Sequence, residues 1–211
     1  MDVIPKNTLV VGLLGGVASG KSLVAKSLVR RGAILLDADK AGHEVLRDPD
    51  VETAVRARWG SGVFDPQGHV YRPALAKIVF APPPAGPIEL VHLEAITHPR
   101  IAHRLQDQLT NLALGNERRV LVLDAPVMLK AGWNNFCSHL VFVDAPREIR
   151  LKRALDRGWT EHDFNQRESA QEALDVKRKL ANSVIDNAGS IDATQRQVEQ
   201  LWNDLKDQSE V

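Results

Sequence analysis

Cysteine is nearly missing from this chain: Cys137 stands alone, which excludes an intramolecular disulfide framework and any multi-cysteine zinc cluster and suits a reducing compartment. Its expected role is that of a small buried hydrophobe. The seven histidines form no His-x-x-x-His pair, so no built-in transition-metal site is expected, and any metal should arrive with a ligand. An excess of one charge is missing too. Lys plus Arg and Asp plus Glu both number 27, which leaves no global basic surplus to hold nucleic acid or an anionic membrane. An anionic ligand has to be held locally. Long apolar runs are also absent. Leu9 to Leu14 is far too short to span a bilayer and carries neither a basic leader nor a small-residue cleavage site, so the chain is expected to be soluble and cytoplasmic.

What is present is enough apolar residue, 44% of 211, to bury one sizeable core carrying inserted subregions. Short apolar runs bounded by turn residues recur at Leu9 to Leu14, Ala33 to Leu36, Val120 to Leu123, Leu140 to Val143 and, more weakly, Val184-Ile185. They do not alternate with polar residues, which is the pattern of strands covered on both faces of a parallel sheet. Between the first two runs, Leu23, Val24, Ser27, Leu28 and Arg31 mark helical spacing, and Gly32 follows as a carboxyl-end cap. Residues 40 to 115 are too many for a simple crossover and read as a mostly helical insertion. Within it, Ala81 to Pro87 is expected to be a stiff extended connection between two helical pieces. Arg147 to Leu180 is charged, helix-prone and broken near Gly158-Trp159-Thr160. Val198, Leu201, Trp202 and Leu205 form a terminal apolar stripe suited to core packing.

The chemistry begins at Gly15-Gly16-Val17-Ala18-Ser19-Gly20-Lys21-Ser22, which satisfies G-x-x-x-x-G-K-[ST]. It follows an apolar run and opens a helix, so backbone N–H groups and the positive end of the helix dipole converge on one spot suited to phosphate oxygens. In this phosphate loop Lys21 is expected to bridge the β- and γ-phosphates of ATP, and the Ser22 hydroxyl to complete a Mg²⁺ shell with phosphate oxygens and water.

Switches, motors and kinases share such a loop, so acids must narrow the reaction. Asp37-Ala38-Asp39 closes the second apolar run, at a strand end where ligands of open α/β sheets bind. If the segment stays extended, both carboxylates share a face, one to take a proton from a substrate hydroxyl and the other to order water or metal. The competing reading makes Asp39 only an N-cap. Asp124, after Val120 to Leu123, is the first candidate for the acid that positions Mg²⁺, and Asp144 after Leu140 to Val143 the second. Arg150, Arg153 and Arg157 share a helical face. That row is either a solvated face or part of a lid that brings guanidinium groups to a transferring phosphoryl.

These residues together resemble the dephospho-coenzyme A kinases from Val10 to about Gly189. The resemblance rests on Gly12 to Ser22, Leu36 to Asp39, Arg72 with Ile78-Val79-Phe80, and Leu93-Glu94 with His98-Pro99-Arg100-Ile101. Pro126, Leu151-Lys152-Arg153, Gln171 and Val184 to Gly189 complete it. It implies a P-loop fold like that of nucleoside monophosphate kinases, with a five-stranded parallel sheet and helices on both faces. The nucleotide-binding core would take residues 1–39 and 116–211, with a lid at about 150–178 and a helical coenzyme A-binding insertion at 40–115. The implied activity is transfer of the ATP γ-phosphate, with Mg²⁺, to the ribose 3′-hydroxyl of dephospho-coenzyme A. It implies catalytic roles for Asp39 as base, Lys21 and Arg153. ATP would be held by residues 15–22, Leu23, Arg153, Asn187 and Gly189, with Asn187 to Gly189 near the adenine. Arg72, His98 and Arg100 would face the acceptor; without the resemblance, His98 reads as a helix stop before Pro99. The expected assembly is a monomer or weak homo-oligomer.

Leu14 and Leu23 stand where the family has Thr, Val127-Met128 where it has two leucines, Lys130 where it has Glu and Asn182 where it has Asp. The loss of a hydroxyl at Leu23 should weaken nucleotide binding by about 1 kcal/mol. Two other readings remain open: a kinase for another small alcohol or nucleotide, and an ATP-binding regulatory protein without turnover.

Overall fold

A computed structural model describes residues 8–113 and 117–207. The chain divides into two compact units, one from Met1–Asp37 and Gln108–Val211, the other from Ala38–Asp107.

The first unit is built on five parallel strands: β1 (Thr8–Gly15), β2 (Ile34–Leu36), β3 (Arg119–Leu123), β4 (His139–Asp144) and β5 (Ser183–Asp186). Each expected apolar run lies in one of them, except that Ala33 precedes β2. Their order is β2-β3-β1-β4-β5, with Val10 opposite Leu121 and Leu13 opposite Val141. The chain leaves β1 toward one edge and later crosses to the other, so the carboxyl end of β1 lies at a topological switch point, where open α/β sheets bind ligands. Helix α1 (Lys21–Arg30) makes the first crossover and ends before Gly32, whose φ of 109° suits the residue after a helix terminus.

Both sheet faces are covered, which explains the unalternated apolar strands. On one face Val11, Leu13, Val122, Val141, Val143 and Ile185 pack against Val24 and Leu28 of α1. The terminal helix, Ile191–Asp207, closes this face through Val198, Leu201, Trp202 and Leu205. Each such Val or Leu contributes roughly 1.5–3 kcal/mol by leaving water. Residues one position along the strands, Val10, Leu121, Leu123 and Phe142, point to the other face and are buried too. Cys137 is half-buried there, its Sγ 3.8 Å from Met128 Sδ, and burial pushes its thiol up to about 12, so it stays protonated.

The second unit contains α2 (Ala38–Val45), α3 (Pro49–Trp59), α4 (Arg72–Val79) and most of α5 (Ala85–Ala113). Its core is small: Ala41, Val45, Val51, Val55, Leu75, Val79, Ile101 and Leu105. Ion pairs tie the helices together. Arg104 of α5 bonds Glu44 of α2 and also Asp48, while Arg100 bonds Asp50 and Glu89 accepts from Arg58 and Trp59 of α3.

Two sequence expectations fail here. Ala85, Gly86 and Pro87 belong to α5 and not to an extended connection, because a proline in the first turn gives up only an N–H that has no intrahelical partner. Pro99 does not stop α5 after His98. The helix loses one backbone bond there, but side chains bond the nearby carbonyls, Thr97 Oγ1 to Leu93 at 2.9 Å and an Arg100 nitrogen to Ile96 at 2.8 Å. Beyond the proline, Ile101, Leu105 and Leu109 remain buried. No helix among the described residues is long and apolar enough to cross a membrane.

Candidate active site

The segment between β1 and α1 turns back on itself through a backbone that few residues tolerate. Gly15 has φ 151°, Gly20 has φ 102° and Ala18, without glycine's freedom, has φ 57°. Gly20 is required twice over, because a Cβ there would lie 2.0 Å from Asn187 Nδ2. This geometry turns N–H groups toward a common centre and carbonyl oxygens away from it, making an anion cradle at the start of α1.

The outward carbonyls are then held by side chains from much later in the chain. Asn187, buried just after β5, donates to Ser19 O at 2.7 Å, and its own Oδ1 accepts from Thr194 at 2.8 Å. Helix α6 (Arg147–Leu155) sends Arg153 to Ser19 O at 3.2 Å and to Asn187 O at 2.8 Å. It sends Arg150 to Val17 O at 3.4 Å, with Ala145 O at 3.0 Å and Glu168 at 2.5 Å as further partners. Arg150 is only 2% exposed, so the arginine row is not a solvated face: two of its members brace the loop, while Arg157 stays exposed. Helix α7 (Glu161–Ser169) supports them. A reciprocal Thr160–Asp163 capping box fixes its start, and Phe164 is buried against Val17 beneath the Arg150 guanidinium.

Lys21 opens α1, and its ammonium bonds Gly15 O at 3.4 Å and Gly16 O at 3.2 Å. Burial lowers its pKa, Asp124 opposes that, and Arg150 and Arg157 add to it. Ser22 Oγ donates to Asp124 Oδ2 at 3.3 Å. A hydroxyl and a carboxylate side by side form an all-oxygen pair that suits a hard cation such as Mg²⁺. Among the described residues no cluster of three or more His, Cys, Asp or Glu side chains could hold a metal by itself, so remaining ligands would come from phosphate and water. Asp144 is engaged elsewhere, paired with Arg178. The Ser19 hydroxyl is buried inside the loop with no hydrogen-bond partner among the described residues.

The chain belongs to the dephospho-CoA kinase family. The family model matches residues 9–193. Relatives named dephospho-CoA kinase include that of Geobacter metallireducens, 39% identical across 93% of this chain and 96% of its own length. That of Corynebacterium jeikeium is 35% identical across 93% of this chain and all of its own length. Among solved structures, the Thermus thermophilus protein TT1252 is 30% identical and superposes with a TM-score of 0.76 over 94% of this chain and 98% of its own. The fold is also that of Acinetobacter baumannii shikimate kinase, at a TM-score of 0.51 and 15% identity over 96% of each chain. Membership makes the chain an ATP-dependent kinase with a P-loop fold.

Other residues singled out for this family fall as follows. Asp39 is exposed in the first turn of α2. The segment therefore does not stay extended, Asp37 and Asp39 do not share a strand face, and Asp37, not Asp39, precedes the helix. His43 lies one turn beyond Asp39 on the same face, and it lines a cavity of about 700 Å³ with Tyr71, Arg72, Phe80 and Leu93. Arg72 is thus brought to that cavity. His98 is half-buried on α5 outside its lining, and Arg100 bonds Asp50 at 2.7 Å. Gly189 sits near Ala193, two residues beyond Asn187. Of the departures, Leu14 and Leu23 are buried and half-buried, Lys130 is exposed, and Asn182 Oδ1 accepts from Leu140 N at 2.7 Å, as an Asp would.

His43 escaped the sequence reading, and so did a buried lysine. Lys177 of α8 (Leu174–Leu180) is 3% exposed and reaches Gly15 O at 3.5 Å. It stands in a run with Arg178 and Lys179 that looks like any solvated charge cluster. Only Gln171, noted for the family resemblance, hinted at it: Gln171 Oε1 accepts from Lys177 at 2.7 Å.

Proposed function

We propose that this chain transfers the γ-phosphate of ATP to the ribose 3′-hydroxyl of dephospho-coenzyme A, yielding coenzyme A and ADP. The observation that carries this reading is the phosphate loop with its outward carbonyls held by Asn187, Arg150 and Arg153 and with Lys21 at its mouth. Such a loop presents preorganised N–H donors to the triphosphate, and catalysis of phosphoryl transfer consists largely of positioning and charge stabilisation. Residues 15–22 and Leu23 would hold the phosphates, with Arg153, Asn187 and Gly189 bordering the nucleotide. Ser22 and Asp124 would hold Mg²⁺, which neutralises phosphate charge when bound.

On the acceptor side, Arg72 and His43 line an otherwise largely apolar cavity, chemistry that suits a long organic arm carrying phosphates. His98 and Arg100 would extend that surface. Asp39, exposed one helical turn from His43, takes the proton of the attacking hydroxyl. The acceptor oxygen forms its bond to the γ-phosphorus as the bond to the β,γ-bridging oxygen breaks, and that electron pair leaves on ADP. The helices of residues 150–178 serve as the lid side of the site, and residues 40–115 as the acceptor side. The enzyme would act in the cytoplasm as a monomer or weak homo-oligomer, with no nucleic acid or membrane partner.

Incubation with ATP, Mg²⁺ and dephospho-coenzyme A should give ADP and coenzyme A in equal amounts. No product above a boiled control overturns the reading. Asp39→Asn should lower kcat by about 10²–10⁴-fold with ATP affinity nearly unchanged; unchanged turnover would remove Asp39 as the base.

A further inference from the structure

Helix α8 is oriented against its own hydrophobicity. It exposes Val176 at 45% and Leu180 at 48%, while its one fully buried side chain is Lys177. Burying an ammonium and exposing aliphatic groups costs stability in both respects, so packing does not explain the orientation. Nor does charge pairing. Among the described residues Nζ makes two hydrogen bonds, to Gln171 Oε1 and to Gly15 O, both to neutral oxygens, and forms no ion pair with a carboxylate.

What Lys177 shares is the phosphate loop. Gly15 O receives Lys21 Nζ at 3.4 Å and Lys177 Nζ at 3.5 Å, and both lysines line one small pocket with Leu13, Leu14, Ala125 and Pro126. Two ammonium groups therefore converge on one carbonyl in a largely apolar setting. Burial, then Lys21, lower the Lys177 pKa to about 8, with Glu172 opposing and Arg150 adding. Lys177 thus holds positive charge with no carboxylate within hydrogen-bond reach, Glu172 acting only at a distance, beside the first glycine of a loop suited to polyanions. An entering phosphate would relieve both the desolvation and the mutual repulsion.

We propose that Lys177 is a second phosphate-site ammonium, paired with Lys21 across Gly15, which contacts the terminal phosphoryl of the bound triphosphate as it transfers. Gln171 is its positioning residue. The proposal rests on the reading of the chain as an ATP-dependent phosphotransferase but not on the identity of the acceptor. As the bond from the β,γ-bridging oxygen to the γ-phosphorus breaks and the acceptor oxygen bonds that phosphorus, the ammonium donates to a γ-phosphoryl oxygen. It neutralises charge there without giving up its proton.

The test compares wild type with Lys177→Met and Lys177→Arg in binding, turnover and thermal melting. Lys177→Met should weaken a non-hydrolysable ATP analogue by about tenfold while changing ADP affinity less than about threefold, and should lower kcat about 100-fold. Its melting temperature at pH 7 should equal or exceed that of wild type, where loss of a merely structural tie would lower it. Lys177→Arg should recover about tenfold of the lost kcat. Equal weakening of the analogue and ADP overturns the proposal, as does a Lys177→Met enzyme that keeps kcat within threefold. If wild type leaves dephospho-coenzyme A unphosphorylated, the acceptor reading fails, and the difference between analogue and ADP still decides the role of Lys177.

Discussion

In the core unit, the carbonyls of Val17 and Ser19 are held by donors at least 133 residues further along the chain, and that of Gly15 by Lys177 as well as by the nearby Lys21, all from buried or half-buried side chains. In the helical unit, helices are tied through more exposed pairs such as Arg100–Asp50 and Arg58–Glu89, and apolar residues at the wall of its cavity remain open, Phe80 at 72% and Tyr71 at 50%. The difference matches what the proposed reaction would have each of them bind. A triphosphate is small, rigid and highly charged, so a preorganised cradle stabilises it best. A long flexible acceptor is held by apolar surface that tolerates adjustment, at little cost in fixed geometry.

The sharpest way to break the comparison is to remove the charge at the centre of the cradle. Lys21→Met should lower kcat by about 10³-fold or more, equivalent to at least ~4 kcal/mol of transition-state stabilisation, with the fold retained. Steady-state kinetics and circular dichroism measure the two halves of that statement. A loss under tenfold would mean that the loop does not govern transfer.

Glycines give a like-for-like comparison of the two units. Gly20→Ala places a Cβ 2.0 Å from Asn187 Nδ2 at a φ of 102°, so a buried amide must move and release Ser19 O. We expect roughly 2–4 kcal/mol of destabilisation in denaturant melts, with ATP affinity reduced. Gly68→Ala, at φ 86° with nothing within 4 Å of the added atom, should cost only the backbone strain, roughly 1–2 kcal/mol. Equal costs in the two units would deny that the loop is braced more tightly.

The same contrast explains what could be read from the chain. The strands were legible because runs such as Val120 to Leu123 stay apolar without alternation, which only a doubly covered parallel strand requires. The loop was legible because Gly15, Gly20, Lys21 and Ser22 act through local backbone geometry at fixed spacing. The braces were legible only in part, Arg150 and Arg153 as a row with two open readings and Lys177 not at all, since only the tertiary fold decides which charge in a basic helix turns inward. Asp39 was misplaced in the same way. Asp-Ala-Asp after an apolar run reads either as continued strand or as an N-cap at Asp39, and helix α2 already begins at Ala38. Pro87 and Pro99 misled because their effect depends on what surrounds them: a first helical turn for one, a well-packed following segment for the other.

Protonation sharpens the account of the buried charges. Lys177 has its pKa lowered to about 8 from the ordinary 10.5, so between pH 8 and 10.5 the folded chain sheds this proton before the unfolded chain does. The unfolded state then binds more protons, and this group's contribution to stability rises with pH through that window. At pH 7 the ammonium is charged in both states and its burial is a standing cost. Lys177→Met should therefore be more stable than wild type at pH 7, by a few kcal/mol at most, and the advantage should shrink as pH approaches 10. Denaturant melts at pH 7, 8.5 and 10 measure it; an advantage that grows with pH contradicts the assignment.

The smallest effect belongs to the helical unit. Arg100 bonds Asp50 and holds its carboxyl below the usual carboxylate range, so the pair's contribution is present at neutral pH and fades as acid protonates Asp50. Exposure of the partners, 36% and 63%, lets solvent screen the attraction. Asp50→Asn should move the melting temperature by no more than about 1 °C at neutral pH, and by less as salt is raised. The informative readout is KM for dephospho-coenzyme A. Once Asp50 no longer competes for the Arg100 guanidinium, an acceptor phosphate that uses this arginine gains a partner, and KM should fall about twofold to fivefold while KM for ATP stays fixed. If both KM values stay fixed, Arg100 serves only to join α3 to α5, and the acceptor surface ends at Arg72 and the cavity wall.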